Sequence, residues 1–333
     1  MQEPVRYDNK IKRGLRWILR LLLRSYPGFG GVGRLMISRF VNWLTAEPET
    51  VVTTLRGGQS IVVDLSDHCA RAIYFWGDYD PRVSQICIEA LRPGDVMLDI
   101  GANYGEIALA AATRVGPSGA VHAFEPNPKI AGYLRKSAEL NGFSNLFVHE
   151  VALGTKDDEI ELVAPAGNSG AASLIAPAGG GGGPQSVSYG RVKVRSGGDY
   201  LRKVLRSSIT VIKIDVEGME GEVLESLEPL LREKPPRVIC FESDGSETPF
   251  YDRRPVRCLT RLGYQFEQVK HGVGLHRRPT LVPVPVSGPI YNSHDFVALR
   301  SSSALADFRL KAERFCDKAP LSTTTLNSLQ RVS

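Results

Sequence analysis

The segment Val96-Met97-Leu98-Asp99-Ile100-Gly101-Ala102-Asn103-Tyr104-Gly105 constrains the fold more than any other part of this chain. An apolar run of strand length ends at an acid and then meets two glycines four residues apart, so a buried strand must stop in a tight turn. Further strand-like runs lie at 120–124, 146–150, 210–214, 237–241 and 296–299, separated by helical patterns such as 107–114 and 128–141. Near-continuous apolar strands alternating with helices specify a parallel sheet covered on both faces. In such a sheet ligands bind beyond the carboxyl ends of the strands, which is where residues 99–105 fall.

The glycine pattern narrows the ligand. It reads Asp-x-Gly-x-x-x-Gly, whereas a dinucleotide site needs Gly-x-Gly-x-x-Gly to pack backbone amides against a pyrophosphate. A phosphate-free, cationic ligand fits better: S-adenosylmethionine carries an ammonium and a sulfonium, which Asp99 can complement while Gly101 and Gly105 let the backbone approach. The second strand, Val121-His122-Ala123-Phe124, ends at Glu125, 20 residues after Gly105. That spacing suits a carboxylate accepting hydrogen bonds from both ribose hydroxyls. A nicotinamide oxidoreductase shares the acid but lacks its phosphate-binding fingerprint here. His122, inside the strand, reads as a buried imidazole rather than a catalytic one.

The flanks are read as additions to this unit. Residues 1–50 form an N-terminal extension whose segment 10–24 is a basic amphipathic helix, with Ile11, Leu15, Ile18, Leu19 and Leu22 on one side and Arg13, Arg16, Arg20 and Arg24 on the other. It is expected either to lie on a membrane with its arginines at the phosphates, or to pack on the core with its arginines solvated. Residues 51–92 read as a β-hairpin turning at Gly57-Gly58 followed by a helix from Pro81, and 93–300 as the main domain. Within it, 164–190 is rich in Gly, Ala, Ser and Pro, with five glycines from Gly179 to Gly183, and is expected to be a mobile loop. Residues 301–333 read as a partly disordered tail.

Composition excludes several classes. Forty-one basic and 36 acidic residues give a net charge of +5 with no aromatic-basic recognition pattern, so no nucleic-acid partner is expected. Five widely spaced cysteines form no CxxC pair, which fits neither a zinc site nor a disulfide framework and points to a reducing compartment. No stretch reaches the roughly 18–20 apolar residues of a membrane span, and no cleavable signal is evident. The expected location is cytoplasmic, with a peripheral contact at the inner face of a membrane through residues 10–24.

Three blocks together carry a family likeness: Leu98-Asp99-Ile100-Gly101-Ala102-Asn103-Tyr104-Gly105, Ala123-Phe124-Glu125-Pro126-Asn127-Pro128, and Lys213-Ile214-Asp215-Val216-Glu217-Gly218-Met219-Glu220. The chain resembles the FkbM family of S-adenosylmethionine-dependent methyltransferases. Lesser matches are Trp76-Gly77-Asp78-Tyr79-Asp80-Pro81, Val151-Ala152-Leu153-Gly154 and Gly170-Ala171-Ala172-Ser173-Leu174. One departure is Ser196-Gly197-Gly198-Asp199-Tyr200-Leu201, where the family usually has Thr-Leu-Asp; the glycine run is another. The resemblance implies an α/β, Rossmann-like class I methyltransferase fold with a mainly parallel seven-stranded sheet, preceded by a helical segment and a small hairpin cap. It also implies O-methylation of a hydroxyl on a glycan sugar or a secondary metabolite.

The expected cofactor-binding set is Asp99, Gly101, Asn103, Gly105, Glu125 and Asn127. Methyl transfer needs an aligned acceptor oxygen and a base to take its proton. Asp215, at the end of the strand Val211-Ile212-Lys213-Ile214, is the first candidate, followed by Glu217 and Glu220; His294, at a strand entrance, is a fourth. Lys213 alternates onto the side of Asp215, where it either orients the acids or forms a structural ion pair. These acids with Glu242 resemble a hard-cation site, but no histidine stands at ligand spacing and no metal is expected. The alternative to an enzyme is a non-catalytic interaction module retaining the same fold, against which the intact Asp99, Glu125 and Asp215 speak.

Overall fold

The computed structural model describes residues 8–26, 32–174, 186–243, 248–270, 279–285, 290 and 294–300. Three helices come first, α1 (Asp8–Ser25), α2 (Val32–Met36) and α3 (Arg39–Leu44), then the hairpin β1 (Thr50–Thr54) and β2 (Ser60–Asp64). Helices α4 (His68–Phe75) and α5 (Pro81–Ala90) lead into β3 (Val96–Ile100), α6 (Glu106–Val115), β4 (Ala120–Phe124), α7 (Pro128–Leu140) and β5 (Leu146–His149). A side sheet follows, β6 (Ala152–Gly154), β7 (Asp158–Pro165) and β8 (Ser186–Ser196). The chain then returns through α8 (Gly197–Val204), β9 (Val211–Ile214), α9 (Glu220–Glu233), β10 (Val238–Glu242), α10 (Arg254–Arg261), β11 (Gln265–Lys270), β12 (Thr280–Pro283) and β13 (Asp295–Leu299).

The main sheet has the order β12-β11-β13-β10-β9-β3-β4-β5. Strands β10, β9, β3, β4 and β5 are parallel, while β13 runs antiparallel between β10 and β11. Sequence reading expects seven strands; the eighth is the short edge strand β12, antiparallel to β11 and flanked by prolines that give no periodic signal. Chain order runs from β3 outward to β5 and then resumes at β9 on the other side of β3. The crevice at the β3 and β9 carboxyl ends is therefore the switch point where a ligand is expected.

Strand alternation divides the core in two. Met97, Val121, Ala123 and Val211 pack against Ile86, Leu109 and Leu134 of α5, α6 and α7. Leu98, Ile100, Ile212 and Ile239 pack against Leu201, Leu227 and Leu259 of α8, α9 and α10 on the opposite face. Both faces are thus covered, as the apolar strands require. The hairpin pairs Thr54 with Ser60 and is tied to α7, where Val62 N–H donates to Ser137 Oγ at 2.9 Å and Ser60 N–H to Asn141 Oδ1 at 2.8 Å.

Two expectations for the flanks change. The segment 164–190 is not one loop: its ends are strand, with Pro165 opposite Ser186 and Ala164 opposite Val187. Burial of Leu162, Ala164, Val192 and Val194 holds β7 against β8 despite the loop-like composition between them. Gly179 to Gly183 lie outside the described residues, as do 301–333. The second change concerns α1, of whose four arginines Arg16, Arg20 and Arg24 turn toward the domain while Arg13 is exposed. Arg16 pairs with Glu49 at 2.6 Å, Arg20 donates to Thr53 Oγ1 at 2.9 Å, and Arg24 donates to Thr53 Oγ1 and to the carbonyls of Ile73 and Tyr74 at 3.1 Å each. Trp17, Ile18, Leu21 and Leu22 are exposed instead. The carbonyls at the end of α4 and the hairpin hydroxyl offer acceptors that only the arginine side of α1 can satisfy.

Candidate active site

The turn after β3 is built around two glycines that admit no other residue. Gly101 has φ 77°, and a Cβ there would stand 1.8 Å from the Asp215 carbonyl oxygen. Gly105 has φ 85°, and a Cβ would stand 2.0 Å from Leu134 Cδ1. The amides of Gly101 and Ala102 both donate to the Phe124 carbonyl at 3.0 Å, which locks the turn to the end of β4. Between the glycines Asn103 takes φ 49°, and its Oδ1 accepts a bond from Ser169 Oγ at 3.2 Å.

Glu125 ties the two strand ends together. Its Oε2 accepts from Asn103 N–H at 2.9 Å and its Oε1 from Asn127 N–H at 2.8 Å. Burial pushes the carboxyl up to about 7, with the two N–H donors pulling the other way. Each oxygen keeps a further lone pair for an O–H donor. Asn127, expected at the cofactor, caps α7 through Oδ1 by accepting from Lys129 and Ile130 N–H, and it lies outside the cavity lining. Asn followed by Pro at the first helical position is a helix-start signal, and that signal decides its place.

Under the turn lies a charge triad in which Lys213 and Asp99 are buried and Asp215 is half exposed. Lys213 Nζ donates to the Gly101 carbonyl at 2.6 Å and stands 3.5 Å from Asp99 Oδ1 and 3.3 Å from Asp215 Oδ2. Burial opposes the lysine's charge, but Asp215 and Asp99 outweigh it and hold its pKa above the usual value. Burial raises the Asp99 carboxyl, with Lys213 opposing. Neither Asp99 oxygen has a hydrogen-bond partner. Lys213 thus both neutralises the acids and props the glycine turn from beneath.

These elements enclose a cavity of about 430 Å³. Asp99, Gly101, Asn103, Gly105 and Glu125 line one part, beside an apolar end made by Phe124, Val151, Leu153 and Leu162. Asp215, Glu217 and His294 line another, so three of the four expected catalytic residues converge there. Glu220 does not. It is buried at the start of α9, where its Oε1 accepts from Val216 and Gly218 N–H at 3.2 Å each, closing the turn after β9. Helix-end donors nearby satisfy it before any substrate can. His122 is also off the cavity: its Nδ1 lies 3.0 Å from His149 Nε2, and burial lowers its pKa to about 4.

The remaining wall escaped sequence reading. Tyr79, Asp80, Arg82, Glu106 and Asp295 line it, and Arg82 reaches Asp295 at 3.1 Å and Asp80 at 3.6 Å. Burial, with Asp80 adding to it, pushes the Asp295 carboxyl up to about 7. Half-buried Glu106 accepts from Tyr79 and Asp80 N–H at 2.7 and 2.9 Å, holding the loop before α5 against α6. The available signal was the block Trp76 to Pro81, a family match to which no role was attached. Carboxylate oxygens of Asp215, Glu217 and Glu242 lie within 4.8 Å of one another.

The cavity fits S-adenosylmethionine on its own residues. The Gly101 cradle would be filled by a Cβ, the buried Asp99 carboxylate has acceptors to spare for a cation, and Glu125 offers two lone pairs at ribose spacing. A doubly wound sheet with such a cradle at its switch point defines a Rossmann-like S-adenosylmethionine-dependent methyltransferase. The Methyltransferase FkbM domain matches residues 99–266, and the chain belongs to that family. No curated protein matches the sequence.

Solved structures similar to it include a precorrin-6y C5,15-methyltransferase from Geobacter metallireducens, at 18% identity and TM-score 0.36, covering 66% of this chain and 87% of that one. Fibrillarin from Aeropyrum pernix, with natively bound S-adenosyl-L-methionine, is 13% identical with TM-score 0.37 and coverage of 76% and 100%. An S-adenosylmethionine-dependent O-methyltransferase from Thermotoga maritima is 12% identical with TM-score 0.35 and coverage of 77% and 94%. At these values the likeness extends to no residue or substrate.

Proposed function

We propose that this methyltransferase acts on a hydroxyl oxygen of a glycan sugar or a comparably hydroxylated metabolite. The observation that carries the reading is the acidic wall beyond the cofactor cradle: Asp80, Asp215, Glu217, Glu242 and Asp295 face the cavity with Arg82 among them. Carboxylates are strong acceptors, and a polyol presents several O–H donors to them. A phosphorylated or carboxylated acceptor would meet like charge on most of that wall.

Bound S-adenosylmethionine supplies an electrophilic methyl with a neutral leaving group. Asp99 and Glu125 hold the cofactor side of the cavity. Asp215 takes the hydroxyl proton; Lys213, 3.3 Å away, fixes its carboxylate. Arg82 keeps Asp80 and Asp295 in place as acceptors for neighbouring hydroxyls. Glu217 and His294 border the same opening.

The test is transfer of labelled methyl from S-adenosylmethionine into separated glycan, lipid, small-molecule, protein and nucleic-acid fractions. The expected product is an alkali-stable methyl ether in the hydroxylated fractions. Label found only in amines, nucleic acid or protein overturns the reading. Asp215→Asn is expected to lower kcat by about 10²–10⁴ while leaving S-adenosylmethionine affinity within a few-fold.

A further inference from the structure

We propose that α1 and α3 form a docking surface for an anionic lipid bilayer. The inference is independent of the acceptor. Trp17 is 61% exposed, Leu22 65% and Ile37 62%, although each is large and apolar. Trp17 and Leu21, and likewise Ile18 and Leu22, are four residues apart, so they share one face of α1. The face toward the domain is held by Arg16, Arg20 and Arg24 through the bonds to Glu49, Thr53 and the end of α4. Rotating α1 to bury Leu21 and Leu22 would break those bonds, so the outward apolar face is fixed by the packing rather than left by chance.

The patch continues onto α3. Lys12 Nζ lies 5.1 Å above the Trp43 ring, and Trp43 stacks on Phe40 with centroids 6.2 Å apart, both rings more than 40% exposed. Two tryptophans on an apolar face are suited to the headgroup boundary of a bilayer, where an amphipathic ring meets both phases.

Charge selects the partner. Residues 1–45 hold nine Lys and Arg against two Asp and Glu, a net +7 in a chain whose total is +5, so the remaining residues sum to −2. Among those basic residues Lys10 and Arg13 of α1 and Arg39 of α3 are exposed on the helices that carry the patch, with Arg34 exposed on α2 between them. An apolar, tryptophan-bearing face with basic residues around it complements acidic headgroups. The tail 301–333 has five basic and three acidic residues and so lacks the charge to cover this face. Among the described residues no helix is long and apolar enough to cross a membrane, which leaves docking in the interfacial plane.

The experiment uses the full chain and vesicles of phosphatidylcholine alone or mixed with phosphatidylglycerol. Co-sedimentation is expected with the mixed vesicles, weakened by salt, and lost by at least about tenfold in the exposed double variant L21Q/L22Q with an unchanged circular dichroism spectrum. Acyl chains brominated near the headgroup should quench Trp17 and Trp43, resolved with W17F and W43F, but not buried Trp76. Three results overturn the proposal: no binding to either vesicle, binding by L21Q/L22Q equal to that of the parent, or a concentration-dependent dimer that this variant abolishes. Loss of hydrogen-exchange protection in residues 301–333 of the variant overturns it as well, by making the tail the occupant.

Discussion

Glu125 and Gly101 show how much of the candidate cofactor site rests on single atoms. Each Glu125 oxygen accepts one backbone N–H, so Glu125→Gln sets an amide N–H₂ against a donor while removing the charge. The expected result is a ten- to hundredfold loss of S-adenosylmethionine affinity by calorimetry, about 1.4–2.7 kcal/mol, with the fold retained. At Gly101 both the positive φ and the 1.8 Å approach to the Asp215 carbonyl forbid a side chain. Gly101→Ala is expected to cost about 3 kcal/mol in a denaturant titration and to abolish cofactor binding. That Asp99, Gly101, Gly105 and Glu125 would meet at one cavity was legible in the sequence because a strand end, an acid and a glycine turn are encoded within a few residues. Glu220 and Asn127 sit in the same motifs but lie off the cavity lining, with their oxygens accepting from local N–H donors.

At the scale of elements, the acceptor wall depends on how α4, α5 and α6 are pinned to their neighbours. Asp67 caps α4 by accepting from Cys69 and Ala70 N–H at 2.9 and 3.2 Å, and its other oxygen accepts from Ser169 N–H at 2.6 Å. One carboxylate therefore joins α4 to the segment that meets Asn103. Asp67→Ala is expected to lower stability by about 1–2 kcal/mol for the lost cap and to raise the KM for both substrates, as measured by denaturation and steady-state kinetics. Glu106 acts on the other side. Glu106→Ala frees the amides of Tyr79 and Asp80, so the acceptor KM should rise while S-adenosylmethionine affinity stays near that of the parent. An equal loss of cofactor affinity would refute a role confined to the wall. Strands β3, β4, β9 and β10 and helices α6 and α7 could be read to within a residue or two because apolar periodicity is local. The rest of the wall could not: Asp80 precedes α5 and Asp295 begins β13, and only the sheet order, with Asp295 paired to Glu242, brings them to the same cavity.

For the whole molecule, the balance of buried and paired carboxylates sets an unusual pH dependence. Burial pushes Asp78, Glu125 and Asp295 each up to about 7, against roughly 4 in an unfolded chain. Between those values the folded protein binds more protons than the unfolded one, so stability falls as pH rises. The contribution of these three is complete below about pH 4 and lost as the pH climbs through about 7. Asp64, Glu225 and Glu228 act in the opposite sense: burial raises the Asp64 carboxyl but its bonds to Lys129 and Ser66 outweigh it, while Arg254 and Arg261 lower the two glutamates. Their contribution is present above the usual carboxylate range and lost in acid. The two trends leave a stability maximum for the ligand-free protein at about pH 4, where the raised carboxyls still contribute in full and the lowered ones are not yet lost. S-adenosylmethionine, being cationic, favours the ionised form of Glu125, so its binding is expected to strengthen as pH rises through about 7. The thermal midpoint without ligand should therefore decline from about pH 5 to 7 and level off above that, while the increment from saturating S-adenosylmethionine grows over the same interval. A ligand-free midpoint that rises steadily across that interval would mean that these carboxyls are already ionised in the folded chain. The cavity would then hold its cofactor cation against several fixed negative charges, and the increment would be independent of pH.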